Sequence, residues 1–210
     1  LSKIKRWAMA SSIEIVTQKY RGLRCNSIAN ALTELLGQAE ANEISYLEFA
    51  DQLVEHEHQL RNRKRIGLNL RKACFPVTKR LEECDYRHQS TITKRQVNQL
   101  LDFSFLDERA NLIFIGPPGV GKTHLAIGIG HRAIEKGYKV LFCSALSLME
   151  TLELAELKGE LKKKISSLLK FDLLIIDELG YLPMNRRGIH NLFQLINNLY
   201  EYRSVIITTN

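Results

Sequence analysis

Three places in the sequence carry side chains suited to handling a nucleoside triphosphate. The first is Gly116-Pro117-Pro118-Gly119-Val120-Gly121-Lys122-Thr123, which fits the spacing G-x-x-x-x-G-K-[ST] of a Walker A phosphate loop. Its glycines let the backbone turn several amide N–H groups toward one anion, and a helix starting near Lys122 adds its positive dipole end. Lys122 is expected to reach the β- and γ-phosphates and the Thr123 hydroxyl to ligate Mg²⁺. His124 follows on the first helical turn and is grouped with the loop, although packing or capping suits it better than catalysis. The second place is Asp177-Glu178 at the end of the apolar run Leu173-Leu174-Ile175-Ile176, a Walker B pattern. Asp177 is expected to hold Mg²⁺ with Thr123, and Glu178 to act as general base on the attacking water. The third is Asn210 after Val205–Thr209, a polar residue at a strand end that can orient the same water.

These residues need a sheet to bring them together. After the loop, the sequence alternates between helical and strand patterns. A helix is expected over Lys122–Lys136 with Gly137 as its C′ residue, a strand over Val140–Cys143 and a helix over Leu146–Leu157. A basic helix follows Gly159 and carries Lys162, Lys163 and Lys164; then come a strand over Leu173–Ile176, a helix over Gly188–Tyr200 and a strand over Val205–Thr209. Continuous apolar strands alternating with helices indicate a parallel sheet covered on both faces, with ligands at the carboxyl ends of its strands. Leu106–Asn111 reads as a polar turn, and Arg186 and Arg187 as a polar segment after the Asp-Glu pair, either a solvated loop or a contact to a neighbouring subunit or DNA.

The N-terminal part reads as helical. Apolar residues recur at helical spacing over Leu23–Ala41. Ser45-Tyr46-Leu47-Glu48 has the form of a capping box opening a helix that stops before Pro76, and Thr93-Lys94-Arg95-Gln96 is a second box. Charge is segregated along this region. Seven acidic residues and no Lys or Arg lie between Glu34 and Glu57, whereas Arg61 to Arg80 holds eight basic residues and no acid. A block without acidic neutralisation is what a DNA phosphate backbone requires, so Arg61, Arg63, Lys64, Arg65, Arg71 and Lys72 are the expected DNA contacts; the alternative is a solvated helix face. The domain boundary is placed near residue 90, giving a small all-α domain over 1–90 and an α/β domain over 91–210.

At this point a family resemblance becomes specific. Gly116–Ala126 resembles the Walker A region of IstB-like ATP-binding proteins, AAA+ ATPases close to the DnaC helicase loader. Asp177-Glu178-Leu179-Gly180-Tyr181-Leu182-Pro183 resembles their Walker B extension, and Thr208-Thr209-Asn210 their sensor-1 strand. The resemblance implies an AAA+ type P-loop NTPase fold, ATP and Mg²⁺ as cofactors, the sensor-1 role for Asn210, and oligomers assembled in the ATP state on DNA. It also implies a transposase as partner, with a replicative helicase as the alternative. Family members continue beyond the position matching Asn210, where the arginine finger usually lies. Loss of a trans arginine of this kind costs on the order of 10³-fold in turnover, so nucleotide binding with slow or absent hydrolysis is expected of this chain, together with an uncovered sheet edge.

The totals agree with a globular protein and exclude little else. The apolar fraction is 45% and the charged fraction 25%, which gives no case for global disorder. The net charge of +7 favours an acidic partner such as nucleic acid. No stretch is long enough to span a membrane, and no targeting signal is read. Cys25, Cys74, Cys84 and Cys143 lie far apart without a C-x-x-C pair, so thiols in a reducing cytoplasm are expected rather than zinc or disulfides. Two other classes stay open. A small-molecule P-loop kinase would need an arginine-rich lid that the sequence lacks, and a non-hydrolysing DNA- or partner-binding module would keep only the contacts.

Overall fold

The computed structural model describes residues 2–77, 81, 92–181 and 186–210, with side chains from residue 12 onward except that of Tyr181. The boundary expected near residue 90 lies outside the described residues, as do Lys79, Arg80, Cys84 and Leu182-Pro183. The chain forms two compact units, Leu1–Arg65 and Ile66–Asn210.

The first unit is helical. It holds α1 (Ser2–Gly22), α2 (Asn26–Ala41) and the first five turns of α3 (Tyr46–Ala73). Ile28, Leu32 and Leu53 form its buried centre, with Ile13, Tyr20, Leu35, Leu36 and Phe49 packed around them. The box at the start of α3 closes reciprocally: the Ser45 N–H donates to Glu48 Oε2 at 2.8 Å, and the Glu48 N–H donates to Ser45 Oγ at 3.3 Å. The start of α2 is capped differently. Its N-cap residue, Cys25, offers no side-chain acceptor. Glu57 on α3 supplies one instead, and its Oε2 accepts the N–H groups of Ser27 and Ile28 at 2.9 Å each. Arg61 Nε completes the arrangement by donating to Glu57 Oε1 at 2.7 Å. Burial alone would push the Glu57 carboxyl up, but the two amides and the guanidinium outweigh it and hold it below the ordinary glutamate value.

The second unit is α/β. Two short helices, α4 (Lys94–Leu100) and α5 (Ser104–Asp107), precede β1 (Leu112–Ile115). Then follow α6 (Lys122–Lys136), β2 (Val140–Ser144), α7 (Ala145–Leu157), α8 (Leu161–Leu168), β3 (Leu173–Asp177), α9 (Arg186–Leu199) and β4 (Ser204–Thr209). The strands form one parallel sheet in the order β1-β4-β3-β2. Successive residues of β3 feed opposite layers. Leu173 and Ile175 join the cluster with Ile127, Ile129 and Ile134 of α6, while Leu174 and Ile176 join Leu148, Leu152, Leu195 and Leu199 of α7 and α9. With both faces covered, an unbroken apolar strand is what this position demands. At one edge, Ile113 and Ile115 of β1 are exposed.

Two local readings are corrected. Leu106–Asn111 is not simply a polar turn: Ser104–Asp107 makes a helical turn whose Ser104 N–H is held by Asp102 Oδ1 at 2.9 Å. Burial of Phe103, Phe105 and Leu106 drives that turn despite its polar neighbours. Arg186 and Arg187 belong to α9 rather than to a loop before it, because Gly188, Asn191, Leu195 and Leu199 keep one buried face from the first turn on. The box at Thr93 closes as expected, and α3 ends at Ala73 with Cys74 at φ 57°, two residues ahead of Pro76. Among the described residues no helix is long and apolar enough to cross a membrane.

The cap on α2 has a pH signature. A carboxyl held below its ordinary value makes the unfolded chain the better proton acceptor. The stabilisation is therefore full above the unfolded pKa of about 4.3 and is lost as pH falls through the folded value. Glu57→Gln should lower unfolding stability at neutral pH by about 1–3 kcal/mol. It should also flatten the loss of stability below about pH 4. Circular dichroism melts from pH 7 to pH 3 provide the check; parallel curves for the two proteins would refute the capping role.

Candidate functional site

The site is built at the carboxyl ends of β1, β3 and β4. Leaving β1, the chain makes the Gly116–Thr123 loop, in which Gly119 and Gly121 take φ of 84° and 85°. Those values lie in the left-handed region where side-chain-bearing residues are strained. Gly121 is the N-cap of α6, so the helix begins with its amides turned toward the loop. The Gly116 N–H still donates to Thr209 O at 3.3 Å, which continues the β1–β4 ladder into the loop and fixes its root.

Lys122 reaches across this loop. Its Nζ donates to Gly116 O at 2.6 Å, to Pro117 O at 2.9 Å and to Asn210 Oδ1 at 3.1 Å. All three ammonium protons are thus directed, and the ammonium bridges the loop to the end of β4. Thr123 Oγ1 donates to Asp177 Oδ1 at 2.8 Å. Glu178 follows Asp177 with its backbone at φ 61°. Its N–H donates to Thr208 Oγ1 at 2.9 Å, and its exposed side chain stands at the rim. Pro118, Gly119, Gly121, Lys122, Thr123, Glu178, Thr208, Thr209 and Asn210 line one cavity of about 350 Å³. Val120 and His124 are half-buried beside it.

The residues expected from the sequence are therefore gathered in one place, apart from the basic block. Of that block, Arg61 is occupied: besides Glu57 it donates through Nη2 to Arg24 O at 2.7 Å. Arg65 donates to Asn62 Oδ1 at 2.7 Å and is otherwise exposed, as are Arg63 and Lys64. Arg71 and Lys72 are exposed in the second unit.

Two residues of the site entered the sequence analysis only inside the resembling motifs, with no role given to either. Thr208 is 1% exposed, and its hydroxyl donates to Asp177 Oδ1 while accepting the Glu178 N–H. A threonine inside a β-branched strand gives no sequence signal, because strand propensity alone accounts for it. Gly180 lies in a 3₁₀ turn (Leu179–Tyr181), and a Cβ there would come within 2.5 Å of Thr209 Oγ1. Glycine lets the segment after Asp177 lie against the end of β4, and its place three residues after Asp177 was the available clue.

Chemically, the donor set is hard. The Thr123 hydroxyl and Asp177 carboxylate already converge, and oxygen ligands of this kind suit Mg²⁺. The looped amides and Lys122 suit polyphosphate oxygens. Neighbouring thiol chemistry is closed off, since burial above all pushes Cys143 up to about 12. Among the described residues there is no cluster of three or more His, Cys, Asp or Glu able to hold a metal.

A phosphate loop after an edge strand, an Asp-Glu pair at the end of a central parallel strand and an Asn ending the strand between them define a P-loop NTPase of the AAA+ type. A family profile described as IstB-like ATP binding protein matches residues 18–210. An insertion sequence IS5376 protein of Geobacillus stearothermophilus, named for ATP binding, is 40% identical over 172 residues, which cover 82% of this chain and 68% of that protein. Its insertion sequence IS232 counterpart from Bacillus thuringiensis subsp. berliner is 34% identical over 202 residues, covering 96% and 81%. The crystal structure of DnaI shares the fold at 17% identity, with a TM-score of 0.50 over 63% of this chain and 72% of that one. The chain belongs to the IstB-like ATP-binding protein family.

The Thr208 hydroxyl serves two partners at once, so its removal should be felt beyond its size. Thr208→Val, nearly isosteric, should cost about 1–3 kcal/mol by leaving the Glu178 N–H without its acceptor. Thr208→Ser, which keeps the hydroxyl, should lose at most about 1 kcal/mol for the missing methyl. Urea denaturation of the two variants decides; equal losses would assign the effect to packing.

Proposed function

We propose that this protein binds Mg²⁺–ATP at the Gly116–Thr123 loop and uses the nucleotide state to control its assembly on DNA in support of a transposase. The observation that carries the proposal is a pair of hydrogen bonds, Lys122 to Asn210 and Thr123 to Asp177, at a cavity that Lys122, Thr123, Glu178 and Asn210 line together. Loop amides and Lys122 receive the phosphates, with Lys122 exchanging its carbonyl partners for phosphate oxygens. Thr123 and Asp177 would hold the metal, which would supply charge neutralisation to the bound phosphates. Glu178 takes a proton from the attacking water as general base, and Asn210, which lines the same cavity, orients that water. Arg63, Lys64 and Arg65, exposed and without acidic partners among the described residues, supply contacts to DNA phosphates. The choice of a transposase over a replicative helicase as partner rests on the relatives being insertion-sequence proteins.

Lys122→Ala is expected to weaken ATP binding at least about tenfold, the loss of one charge-assisted contact of roughly 1.5–3 kcal/mol, and to abolish ATP-stimulated assembly in light scattering. Persistence of ATP-stimulated oligomers in that variant would refute the mechanism. Independently, replacing Arg63, Lys64 and Arg65 by Ala should reduce the slope of log K against log salt for duplex DNA by about 2–3. An unchanged slope in fluorescence anisotropy would remove the helical block from the DNA contacts.

A further inference from the structure

The opposite end of the sheet, where β2 and β3 begin, also carries a cleft. It has a volume of about 310 Å³ and is lined by Asn69, Lys72, Lys139, Ser167, Lys170 and Phe171. The three lysines come from three different segments: Lys72 from the last turn of α3, Lys139 from the link between α6 and β2, and Lys170 from the link between α8 and β3. All three are exposed, and none has an ion-pair partner among the described residues. The adjacent carboxylate, Asp172, commits Oδ2 to the backbone N–H of Lys139 at 2.9 Å.

Helix dipoles explain part of this. Lys72, Lys139 and Lys170 each sit near a helix C-terminus, and each such end carries roughly −0.5 of a charge. Three ends therefore offset only about half of three ammonium groups, and the Asp172 carboxylate is engaged by a backbone N–H rather than by an ammonium. Mutual repulsion of the rest is relieved by an anion. Ser167 Oγ is committed to Lys164 O at 2.6 Å, so the donors left are the lysine ammonium groups and the Asn69 amide, which donate hydrogen bonds without the planar fork that reads a base edge or a carboxylate; that is the chemistry of phosphate oxygens.

We infer that this cleft is a second anion site, which takes backbone phosphates of duplex DNA on the ATPase unit itself. It extends the DNA part of the proposal above but is separable from it, because it uses Lys139 and Lys170, which lie outside the helical block. It also leaves the nucleotide end of the sheet free, so DNA and ATP can be held together.

The test is fluorescence anisotropy of a labelled DNA duplex titrated with the wild-type chain, with Lys139→Glu/Lys170→Glu, with Lys139→Arg/Lys170→Arg, and with the Arg63, Lys64, Arg65→Ala variant. The double Glu variant should bind DNA about tenfold or more weakly at 0.1 M salt, with a log–log salt slope smaller by about 2. Its ATP affinity should be unchanged, and the double Arg variant should bind DNA as wild type does. Unchanged DNA affinity and slope in the double Glu variant would overturn the inference. So would competition by inorganic phosphate at the cleft with DNA binding unaffected, which would make it a small-anion site only. Loss of DNA binding in the helical-block variant alone would leave the DNA reading standing and sink the cleft. No DNA binding by the wild-type chain would sink both.

Discussion

The site depends on one buried carboxylate. Asp177 ends β3 at 7% exposure, and a charge so placed is tolerated only if its oxygens find donors. Two hydroxyls supply them: Thr123 from the first turn of α6 and Thr208 from β4. Three segments distant in sequence are thereby fixed to within a hydrogen bond of one atom. Each remaining functional side chain is one or two residues from these anchors. Lys122 precedes Thr123, Glu178 follows Asp177, and Asn210 lies two beyond Thr208, and a residue advances a strand by only about 3.3 Å. Precision at the cavity therefore needs few further devices. The backbone of Glu178, held in the left-handed region by Thr208, and the bare Gly180 against Thr209 are two of them.

What was legible in the sequence was what is encoded locally. The phosphate loop, the Asp-Glu pair and both capping boxes are short patterns whose spacing is itself the geometry, so they could be read without a fold. The strands were legible because a parallel sheet covered on both faces requires unbroken apolar runs, as β3 shows with five buried residues. Long-range pairings were not. No local pattern places β4 between β1 and β3; that order was legible only through the expected role of Asn210 between the two Walker elements, and it brings Asn210 to Lys122. Nothing marks Glu57 as the cap of a helix beginning thirty residues earlier. In the acidic run, Glu57 looked like one of seven similar charges, and in the basic run Arg61 looked like a free cation, although the two serve each other. The turn at Ser104 was hidden for a related reason: its polar residues are local and conspicuous, whereas the burial of Phe103 and Phe105 that forces it is tertiary.

The two anion-attracting ends of the sheet are built by opposite means, and this bears on whether they interfere. At the carboxyl ends, positive potential comes from oriented amides, a helix N-terminus and one directed lysine, all held by the loop. At the amino ends, helix C-termini oppose an anion, and free ammonium groups must overcome them. The first arrangement loses little of its potential when salt rises, because its dipoles are fixed and partly buried; the second is carried by exposed charges and is screened. A five-residue strand separates the ends by about 16 Å, roughly twice the Debye length of about 8 Å at physiological ionic strength. Direct repulsion between a nucleotide at one end and a phosphate at the other is therefore small. Any influence of one on the other must travel through the packed strands, and β3 is the strand that touches both: Phe171 and Asp172 lead into it, and Asp177 ends it.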